Sequence, residues 1–217
     1  MKKQRKNLEL TALQKSVIIG TVLGDGCLRV QYKDSYGTIE HSIKQLEYLK
    51  YKKSLIENLC SDKINYRERK PKEKDIVQSI SKSCSFRIST NKNLNEIYYL
   101  LYINGKKRIS ENLLKYIDEV VICLWYLDDG WLSYDKTRKA NYKLGLSTHS
   151  FSKEENELLV NFFLNKYNIK FLIGKQGNNY FLNLNKKEEI IKFINLIKNH
   201  TPKCMYYKID LNKHFKK

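Results

Sequence analysis

Two short apolar stretches end in aspartate and glycine, and their carboxylates are the groups whose type and spacing could do chemistry. Residues 123–130 read CLWYLDDG, and residues 17–26 read VIIGTVLGDG. Adjacent carboxylates at the end of an apolar helix repel one another and lose hydration. A structural interpretation is that Asp-Gly merely ends a helix, with Asp bonding its local backbone and Gly taking a positive φ. Further features of the chain must decide between this interpretation and a functional one.

The overall charge favours a polyanionic partner. The chain has 217 residues, with 41 Lys and Arg against 23 Asp and Glu, which gives a formal net charge of +18. A hydrophobic content of 41% and an aromatic content of 12% indicate a folded protein. Because such self-repulsion destabilises a compact state, we expect a partner, with nucleic acid first and a membrane surface second. The longest apolar run, VVICLWYL at 120–127, is too short to span a bilayer, so we expect no membrane span.

The cysteines and the first residues indicate the compartment. The five cysteines are widely scattered, without a CxxC pair, at Cys27, Cys60, Cys84, Cys123 and Cys204. They are typical of reduced, mostly buried side chains, not of a zinc site or a disulfide framework. The basic start MKKQRKNLEL lacks the apolar stretch of a signal peptide. We therefore expect an intracellular protein, cytoplasmic or organellar, in a reducing compartment.

The two apolar stretches belong to an internal repeat. Asp129 follows Asp25 by 104 residues, close to half the chain. After each Asp-Gly comes an alternating segment, CLRVQYK or WLSYD, which predicts a half-buried strand with a returning strand after it. In the first of them Leu28, Val30 and Tyr32 are predicted to share the buried face. A helical segment follows in each half, and the second one opens with Ser152 and Glu155, the spacing of a capping box.

The full order predicted for each half is helix, two strands, helix, two strands, helix. This pattern predicts an α+β fold with a first half at 12–103, a connecting segment at 104–118 and a second half at 119–210. Two like helices in a duplicated fold are expected to pack together around a pseudo-twofold axis. Gly20 and Gly24 lie four residues apart on one helical face and would permit the close approach.

At these residues the chain resembles the LAGLIDADG homing endonucleases, in the monomeric single-chain branch with two motifs. VIIGTVLGDG and ICLWYLDDG look like the two signature helices of that family, over roughly 12–210 of this chain. The resemblance implies a duplicated αββαββα fold, with two saddle-shaped antiparallel sheets that straddle DNA and the motif helices at the interface. Each helix would supply the acidic residue before its final glycine, here Asp25 and Asp129. The second motif departs from the first by carrying Leu124 where the first has Gly20, and Asp128 would be a cap or a supporting group.

The implied chemistry is metal-dependent hydrolysis of phosphodiester bonds. Cations held by Asp25 and Asp129 could activate water and relieve charge at the phosphate and the leaving oxygen. Hard oxygen ligands suit Mg²⁺, so we expect about two or three divalent cations shared by the site, with Mn²⁺ able to substitute. The resemblance also points to a basic residue near each acid. KKRIS at 106–110 and YYKID at 206–210 share a Lys-x-Ile pattern, which indicates Lys107 and Lys208 as catalytic, although a solvated lysine is the alternative for each.

The outward strand faces are the predicted DNA-reading surfaces. Arg and Lys favour guanine in the major groove, and Gln and Asn favour adenine. Other lysines would contact phosphates and set the register. The claim concerns the faces more than any one side chain. The candidates are Arg29, Gln31, Lys33, Arg67, Arg69, Ser133, Asp135, Asn141, Lys143, Lys175, Gln176 and Asn178. The four histidines show no metal-binding spacing, and His149 is expected to pack or to lie at the DNA edge.

We therefore expect a monomeric, sequence-specific homing endonuclease that makes a staggered double-strand break in a long DNA target. Two alternatives stay open on the same scaffold. One is an RNA maturase that assists splicing of a group I intron and so binds intron RNA, and the other is a DNA-binding regulator that does not cleave. The presence of both Asp25 and Asp129 counts against the regulator and only mildly against the maturase.

Overall fold

The computed structural model describes residues 8–71, 79–135 and 141–211. The chain forms two compact units, the first ending at Tyr98 and the second beginning at Tyr99. Each unit combines helices with one four-stranded antiparallel sheet, which confirms the predicted α+β class. That residues 12–103 and 119–210 are two equivalent halves remains a proposal, and the segment 104–118 lies in the second unit.

The first unit is built from a helix, two hairpins and the helices between them. Its elements are α1 (Ala12–Leu23), β1 (Cys27–Gln31), β2 (Asp34–Ser42), α2 (Leu46–Leu55), β3 (Asn65–Arg69), β4 (Ser81–Asn91) and α3 (Leu94–Leu101), which runs across the boundary. The sheet order is β1-β2-β4-β3. Ile39, Phe86 and Ile88 are buried on one sheet face, and α2 covers this face with Tyr48 and Leu49. The alternation of buried and exposed residues along β2 and β4 therefore gives the unit one core face and one outward face.

The second unit repeats this order after a short hairpin. Its elements are β5 (Tyr102–Ile103), β6 (Lys106–Lys107), α4 (Glu111–Leu114), α5 (Glu119–Asp129), β7 (Gly130–Asp135), β8 (Asn141–Leu146), α6 (Lys153–Tyr167), β9 (Leu172–Gln176), β10 (Asn179–Leu184) and α7 (Lys187–Lys198), followed by a 3₁₀ helix (Lys203–Lys208). The sheet order β7-β8-β10-β9 matches that of the first unit. Phe163 of α6, Phe171 and Phe193 of α7 form an aromatic cluster on its core face, with ring centroids 4.6 to 6.2 Å apart.

The motif helices α1 and α5 are buried over consecutive residues, from Ser16 to Leu23 and from Val121 to Leu127. Gly20 is buried inside α1, and Gly24 is its C-terminal cap, whose N–H donates to the Gly20 carbonyl at 3.3 Å. The approach of one motif helix to the other through these glycines stays a prediction.

The glycines that end the two motifs do not take the positive φ expected of a capping Asp-Gly. Among the described residues, only Gly105 and Gly177 are glycines with positive φ. A Cβ on Gly130 would overlap the Tyr126 ring, and one on Gly26 would lie 2.9 Å from the Thr21 carbonyl oxygen. These two positions need glycine because the strand leaves so close to the last helical turn. The expected positive φ is wrong, although Gly130 does cap α5 through its N–H to the Tyr126 carbonyl.

The predicted half-buried face of the first strand is wrong beyond its first residue. Leu28 is buried, but Val30 is 42% exposed and Tyr32 is 96% exposed. Strand β1 ends at Gln31, and Tyr32 lies in the two-residue turn to β2 with a φ of 57°. The helices that cover the core do not extend over this end of the hairpin, so the alternation of apolar and polar residues there does not correspond to burial.

Two further observations concern the cysteine thiols and the lengths of the helices. All five cysteines are free; Cys60, Cys84 and Cys123 are buried, Cys27 is half-buried and Cys204 is exposed. Within the described ranges, no helix combines the length and the apolar character needed to cross a membrane.

Candidate DNA-cleavage site

Asp25 lies at the end of α1, in the turn that leads into β1. The turn is fixed by the Gly24 N–H, which donates to Gly20, and by the Gly26 N–H, which donates to the Thr21 carbonyl at 2.8 Å. The helix ends before Asp25, so the Asp25 side chain is 42% exposed although the helix is buried. The sequence therefore places a carboxylate at the mouth of an apolar element, accessible to a hydrated ion.

The Asp25 carboxylate contacts a histidine that sequence reasoning did not select. His41 Nδ1 lies 3.1 Å from Asp25 Oδ2, and the His41 side chain has no solvent exposure. His41 Nε2 lies 3.1 Å from the Nζ of Lys52, which is also fully buried. The Lys52 ammonium lies 4.5 Å from the centre of the Tyr48 ring, close enough for a cation–π interaction.

Sequence signals for this cluster exist, although they are local. His41 follows the buried positions Gly37 and Ile39 in the alternation of β2, and Lys52 occupies a core position of α2 beside Tyr48 and Leu49. A histidine and a lysine at core positions of neighbouring elements are expensive to bury unless they interact. A search for buried polar residues at apolar positions would have found them.

Asp129 is the last residue of α5, and both it and Asp128 are half-buried. Its carbonyl oxygen accepts a hydrogen bond from the Ser147 N–H at 3.1 Å. Helix α5 begins at the cap Asp118, whose carboxylate accepts from the Val121 N–H. The position of Asp129 is thus fixed by both ends of the helix and by the start of the sheet.

Lys208 lies directly at the carboxyl end of α5. Its Nζ donates to the carbonyl oxygens of Asp128 and Gly130, at 3.1 and 3.0 Å. The Tyr126 hydroxyl in turn donates to the Lys208 carbonyl at 2.9 Å, and burial raises the pKa of Tyr126. An ammonium at this helix end is favourable because unpaired carbonyls and the helix dipole make the end negative. The structure therefore brings Lys208 to the backbone on either side of Asp129.

Lys107 occupies a different local structure. It pairs with Tyr102 in the short hairpin of β5 and β6 and is half-buried, whereas Lys208 ends a 3₁₀ helix. The shared Lys-x-Ile pattern thus corresponds to two unlike backbones. A catalytic role for Lys107 stays a prediction.

In the first unit, the outward sheet face carries the predicted DNA-reading residues. Arg29 and Gln31 are exposed on β1, Arg67 and Arg69 are exposed on β3, and Lys33 lies in the turn after β1. Sequence reasoning missed Arg87, whose guanidinium lies 4.1 Å from the centre of the Tyr36 ring and donates to the Gln31 amide oxygen at 3.2 Å. The alternation of Arg87 with buried Phe86 and Ile88 is the signal that would have placed it on this face.

In the second unit, Ser133 and Lys143 are directly opposed across β7 and β8 and are both exposed. Lys175, Gln176 and Asn178 are exposed at the hairpin between β9 and β10, as predicted. The side chains of Asp135 and Asn141 lie outside the described residues.

His149 packs against its neighbours, as predicted, and a position at the DNA edge stays a prediction. Its ring stacks on Phe181 at 5.3 Å, and its Nε2 lies 3.1 Å from the amide oxygen of Gln176. The histidine thus fixes the orientation of one candidate DNA-reading side chain.

Known proteins share both the sequence and the fold of the chain. An intron-encoded endonuclease of Wickerhamomyces canadensis, classed as probable, is 27% identical over 94% of this chain and 86% of its own length. The cytochrome b mRNA maturase bI2 of Saccharomyces cerevisiae is 28% identical over 89% of this chain and 46% of its own length. The solved structure of the homing endonuclease I-WcaI bound to its DNA recognition sequence superposes with a TM-score of 0.86 and 25% identity, covering 97% of this chain and 92% of that one.

The match to a family extends through both units. Residues 15–192 match the LAGLIDADG DNA endonuclease family, and this range includes α1 from Lys15 onward, α5 and both four-stranded sheets. The repeated sheet order, the aspartates at the ends of the two motifs, and this match agree with one another. The chain belongs to the LAGLIDADG DNA endonuclease family.

Proposed function

We propose that the protein is a sequence-specific homing endonuclease that makes a staggered double-strand break in a long DNA target. The observation that carries the proposal is that each unit places an aspartate at a buried helix end, Asp25 in the turn after α1 and Asp129 as the last residue of α5, and has an exposed basic and polar sheet face. The aspartates would serve the chemistry, and the sheet faces would read the DNA.

The donor groups fit divalent cations. Asp25 and Asp129 offer carboxylate oxygens, which are hard ligands suited to Mg²⁺, and the exposure of Asp25 leaves room for bound water. When bound, the cations supply an activated water and neutralise charge at the phosphate and the leaving oxygen. The chain's own contribution is to hold the two carboxylates, through the turn after α1 and through the end of α5. Lys208 supports the second of these by bonding the carbonyls around Asp129.

The relatives support this function. The probable endonuclease of Wickerhamomyces canadensis is described as intron-encoded, and I-WcaI was solved on its DNA recognition sequence. We propose that this chain likewise binds double-stranded DNA as a monomer and requires Mg²⁺, with Mn²⁺ able to substitute. The five free thiols fit a reducing compartment.

The second candidate is an RNA maturase. The similarity to the cytochrome b mRNA maturase bI2 is the observation that favours it, since that protein is as close in sequence as the endonuclease. A basic, aromatic-containing sheet face could serve either nucleic acid. The retained aspartates make the endonuclease the better supported candidate.

The deciding experiment is cleavage of DNA that spans the uninterrupted insertion site of this gene, with Mg²⁺ or with EDTA. A randomised-target selection replaces that site if it is unknown. Mg²⁺-dependent cutting at one position supports the proposal. Binding of intron RNA tighter than binding of any selected duplex, with no cutting in Mg²⁺ or Mn²⁺, would favour the maturase instead.

A further inference from the structure

We propose that His41 is a positioning residue that holds the Asp25 carboxylate, with its ring fixed in the Nδ1–H tautomer by the buried ammonium of Lys52. This inference rests on the proposed function only for what Asp25 does. The cluster lies entirely within the first unit, and its three side chains come from the turn after α1, from β2 and from α2.

Burial of these groups is the first argument. His41 and Lys52 have no solvent exposure, although each lies at a core position where apolar side chains pack. An ammonium removed from water costs several kcal/mol unless other groups compensate. The Tyr48 ring and the His41 nitrogen are two such groups, at 4.5 and 3.1 Å. The cluster is therefore held together by its own polar contacts as well as by packing.

The hydrogen-bonding capacity of Lys52 determines which ring nitrogen of His41 carries the proton. A lysine ammonium can only donate, so His41 Nε2 accepts from Lys52 and carries no proton. The ring proton of a neutral imidazole must then be on Nδ1, which is the nitrogen 3.1 Å from Asp25 Oδ2. The ammonium, the imidazole ring and the carboxylate thus follow one another in this order. The Nδ1–Oδ2 separation is that of an ion pair without the alignment of a hydrogen bond, so the attraction between the ring N–H dipole and the carboxylate is what holds Oδ2.

A metal-ligand role for His41 is the competing assignment, and the same contact argues against it. Binding through Nδ1 would require the proton on Nε2, where it would face the Lys52 ammonium at 3.1 Å. Two donors would then confront each other in a buried space. Metal-binding side chains are usually oriented by a neighbouring polar group that does not itself bind the metal.

The second unit has a different residue at the position that matches His41. Cys27, two residues after Asp25, pairs with Thr38, and Trp131, two residues after Asp129, pairs with Gly145. Three residues after these partners, Thr38 and Gly145, the chain reaches His41 in the first unit and Thr148 in the second. Thr148 is also fully buried, but its hydroxyl donates to Asn156 at 2.5 Å.

Around Asp129, the Ser147 N–H and the Lys208 ammonium donate to main-chain carbonyls. A histidine at this position of the returning strand is therefore a feature of the first unit.

The tautomer can be measured without metal, DNA or activity. In ¹⁵N-labelled, metal-free protein, the imidazole resonances of His41 are identified by their loss in His41→Asn, or by through-bond assignment if that variant does not fold. We expect an Nδ1–H ring in the wild type, and loss of this single tautomer in Lys52→Met. An Nε2–H ring in the wild type would overturn the proposal.

Two substitutions separate the two contacts of the ring. In His41→Asn, the amide nitrogen can replace Nδ1 toward Asp25, whereas in His41→Gln the amide oxygen can replace Nε2 toward Lys52 and the donor to Asp25 is lost. We expect His41→Gln to lower single-turnover cleavage about tenfold or more and to raise the half-saturating Mg²⁺ concentration, with DNA affinity in Ca²⁺ unchanged. His41→Asn should retain most of the cleavage rate.

The controls separate positioning from stability and from failure of the proposed function. Thr148→Val removes a buried hydrogen bond in the other unit and is expected to lower stability without changing the Mg²⁺ dependence. Equal loss in His41→Asn and His41→Gln, tracking their free energies of unfolding, would make His41 merely structural and overturn the proposal. If the wild type cuts no target, the proposed function fails, while the resonances still decide the tautomer.

Discussion

At the residue scale, the two aspartates are alike in sequence and unlike in surroundings. Asp25 is exposed in a turn and contacts a buried histidine, while Asp129 ends a helix whose last carbonyls bind Lys208. The repeat selected both acids and the resemblance to the family selected Lys208, and their catalytic roles stay predictions. It did not reveal His41 and Lys52, since their pairing depends on how β2 and α2 pack.

Asp25→Asn and Asp129→Asn are each expected to abolish cutting and to keep DNA affinity within about tenfold, or roughly 1.4 kcal/mol. An amide keeps the shape of the side chain but loses the charge that holds a divalent cation. Cleavage assays in Mg²⁺ and binding assays in Ca²⁺ measure the two effects separately.

Asp62→Asn, which makes the same change at an exposed residue outside the proposed site, is the comparison for both aspartate variants. Loss of binding together with cutting in Asp25→Asn would make Asp25 a structural residue of the turn.

At the element scale, helix ends decide where the functional groups lie. The Ser152 and Glu155 capping box is present at the start of α6, as predicted from its spacing. The Glu155 carboxylate also accepts hydrogen bonds from the Ile109 N–H, at 2.8 Å, and from the Arg108 guanidinium. These contacts join the segment 104–118 to α6. Local spacing was enough to predict the cap, whereas the Ile109–Glu155 contact joins residues 46 apart and depends on the tertiary fold.

Gly130→Ala is expected to destabilise the protein by about 1–3 kcal/mol and to reduce cutting, because the added methyl would overlap Tyr126 and displace the start of β7 beside Asp129. Urea unfolding and single-turnover cleavage measure the two effects.

Asn168→Ala is the matched control for stability. Asn168 caps α6 with a φ of 51°, where alanine costs about 1–2 kcal/mol, and it lies outside the proposed site. It should lose stability and retain cleavage. Equal cleavage by the Gly130 and Asn168 variants would mean that the α5–β7 junction does not position Asp129.

Glu189→Gln is expected to lower stability at neutral pH by about 1–3 kcal/mol. The Lys170 N–H donates to this carboxylate at 2.7 Å and the Lys192 ammonium lies 2.9 Å away; these contacts lower the pKa of Glu189. A lowered pKa in the folded state means that the contribution is complete above the ordinary value of 4.5 and is lost as the pH falls through the folded-state pKa.

Denaturation across this range of pH tests the assignment. The stability difference between wild type and Glu189→Gln should shrink on acidification below about pH 4.5. Glu188→Gln removes the same charge from the same helical turn at an exposed position and should show little effect at any pH. A difference that grows in acid would contradict the lowered pKa.

At the scale of the whole molecule, the net charge of +18 favours a polyanionic partner. The repeat was enough to predict two like sheets, which the structure confirms. The residues predicted on β3 and at the β9–β10 hairpin are exposed, but so is every residue of β3, and their role in reading DNA stays a prediction. The predicted burial of Val30 and Tyr32 is wrong, because alternation reports burial only where another layer covers the strand.

DNA affinity is expected to fall steeply with salt, with log K against log salt having a slope of about −0.9 per neutralised phosphate. Arg67→Gln with Arg69→Gln should make the slope shallower by up to about 2, since each removes one cation from the outward face. Fluorescence anisotropy across a salt series measures the slope.

Lys50→Gln is the control for the salt series, because Lys50 is exposed on α2, which covers the opposite face of the same sheet. A slope near zero for the wild type would contradict the nucleic-acid assignment. If Lys50→Gln changed the salt slope as much as the arginine pair does, the outward sheet face would not be the binding face.

The support of the two aspartates also matters for building chimeric nucleases. The contacts from Asp25 to His41 and from His41 to Lys52 lie within residues 11–56, so a graft of that segment would transfer these three side chains together. The Lys208 contact with the Asp128 carbonyl joins residues 80 apart. A transplanted second motif would therefore need everything up to Lys208 to keep this contact, which sets the shortest segment that recombination of specificities can exchange in the second unit.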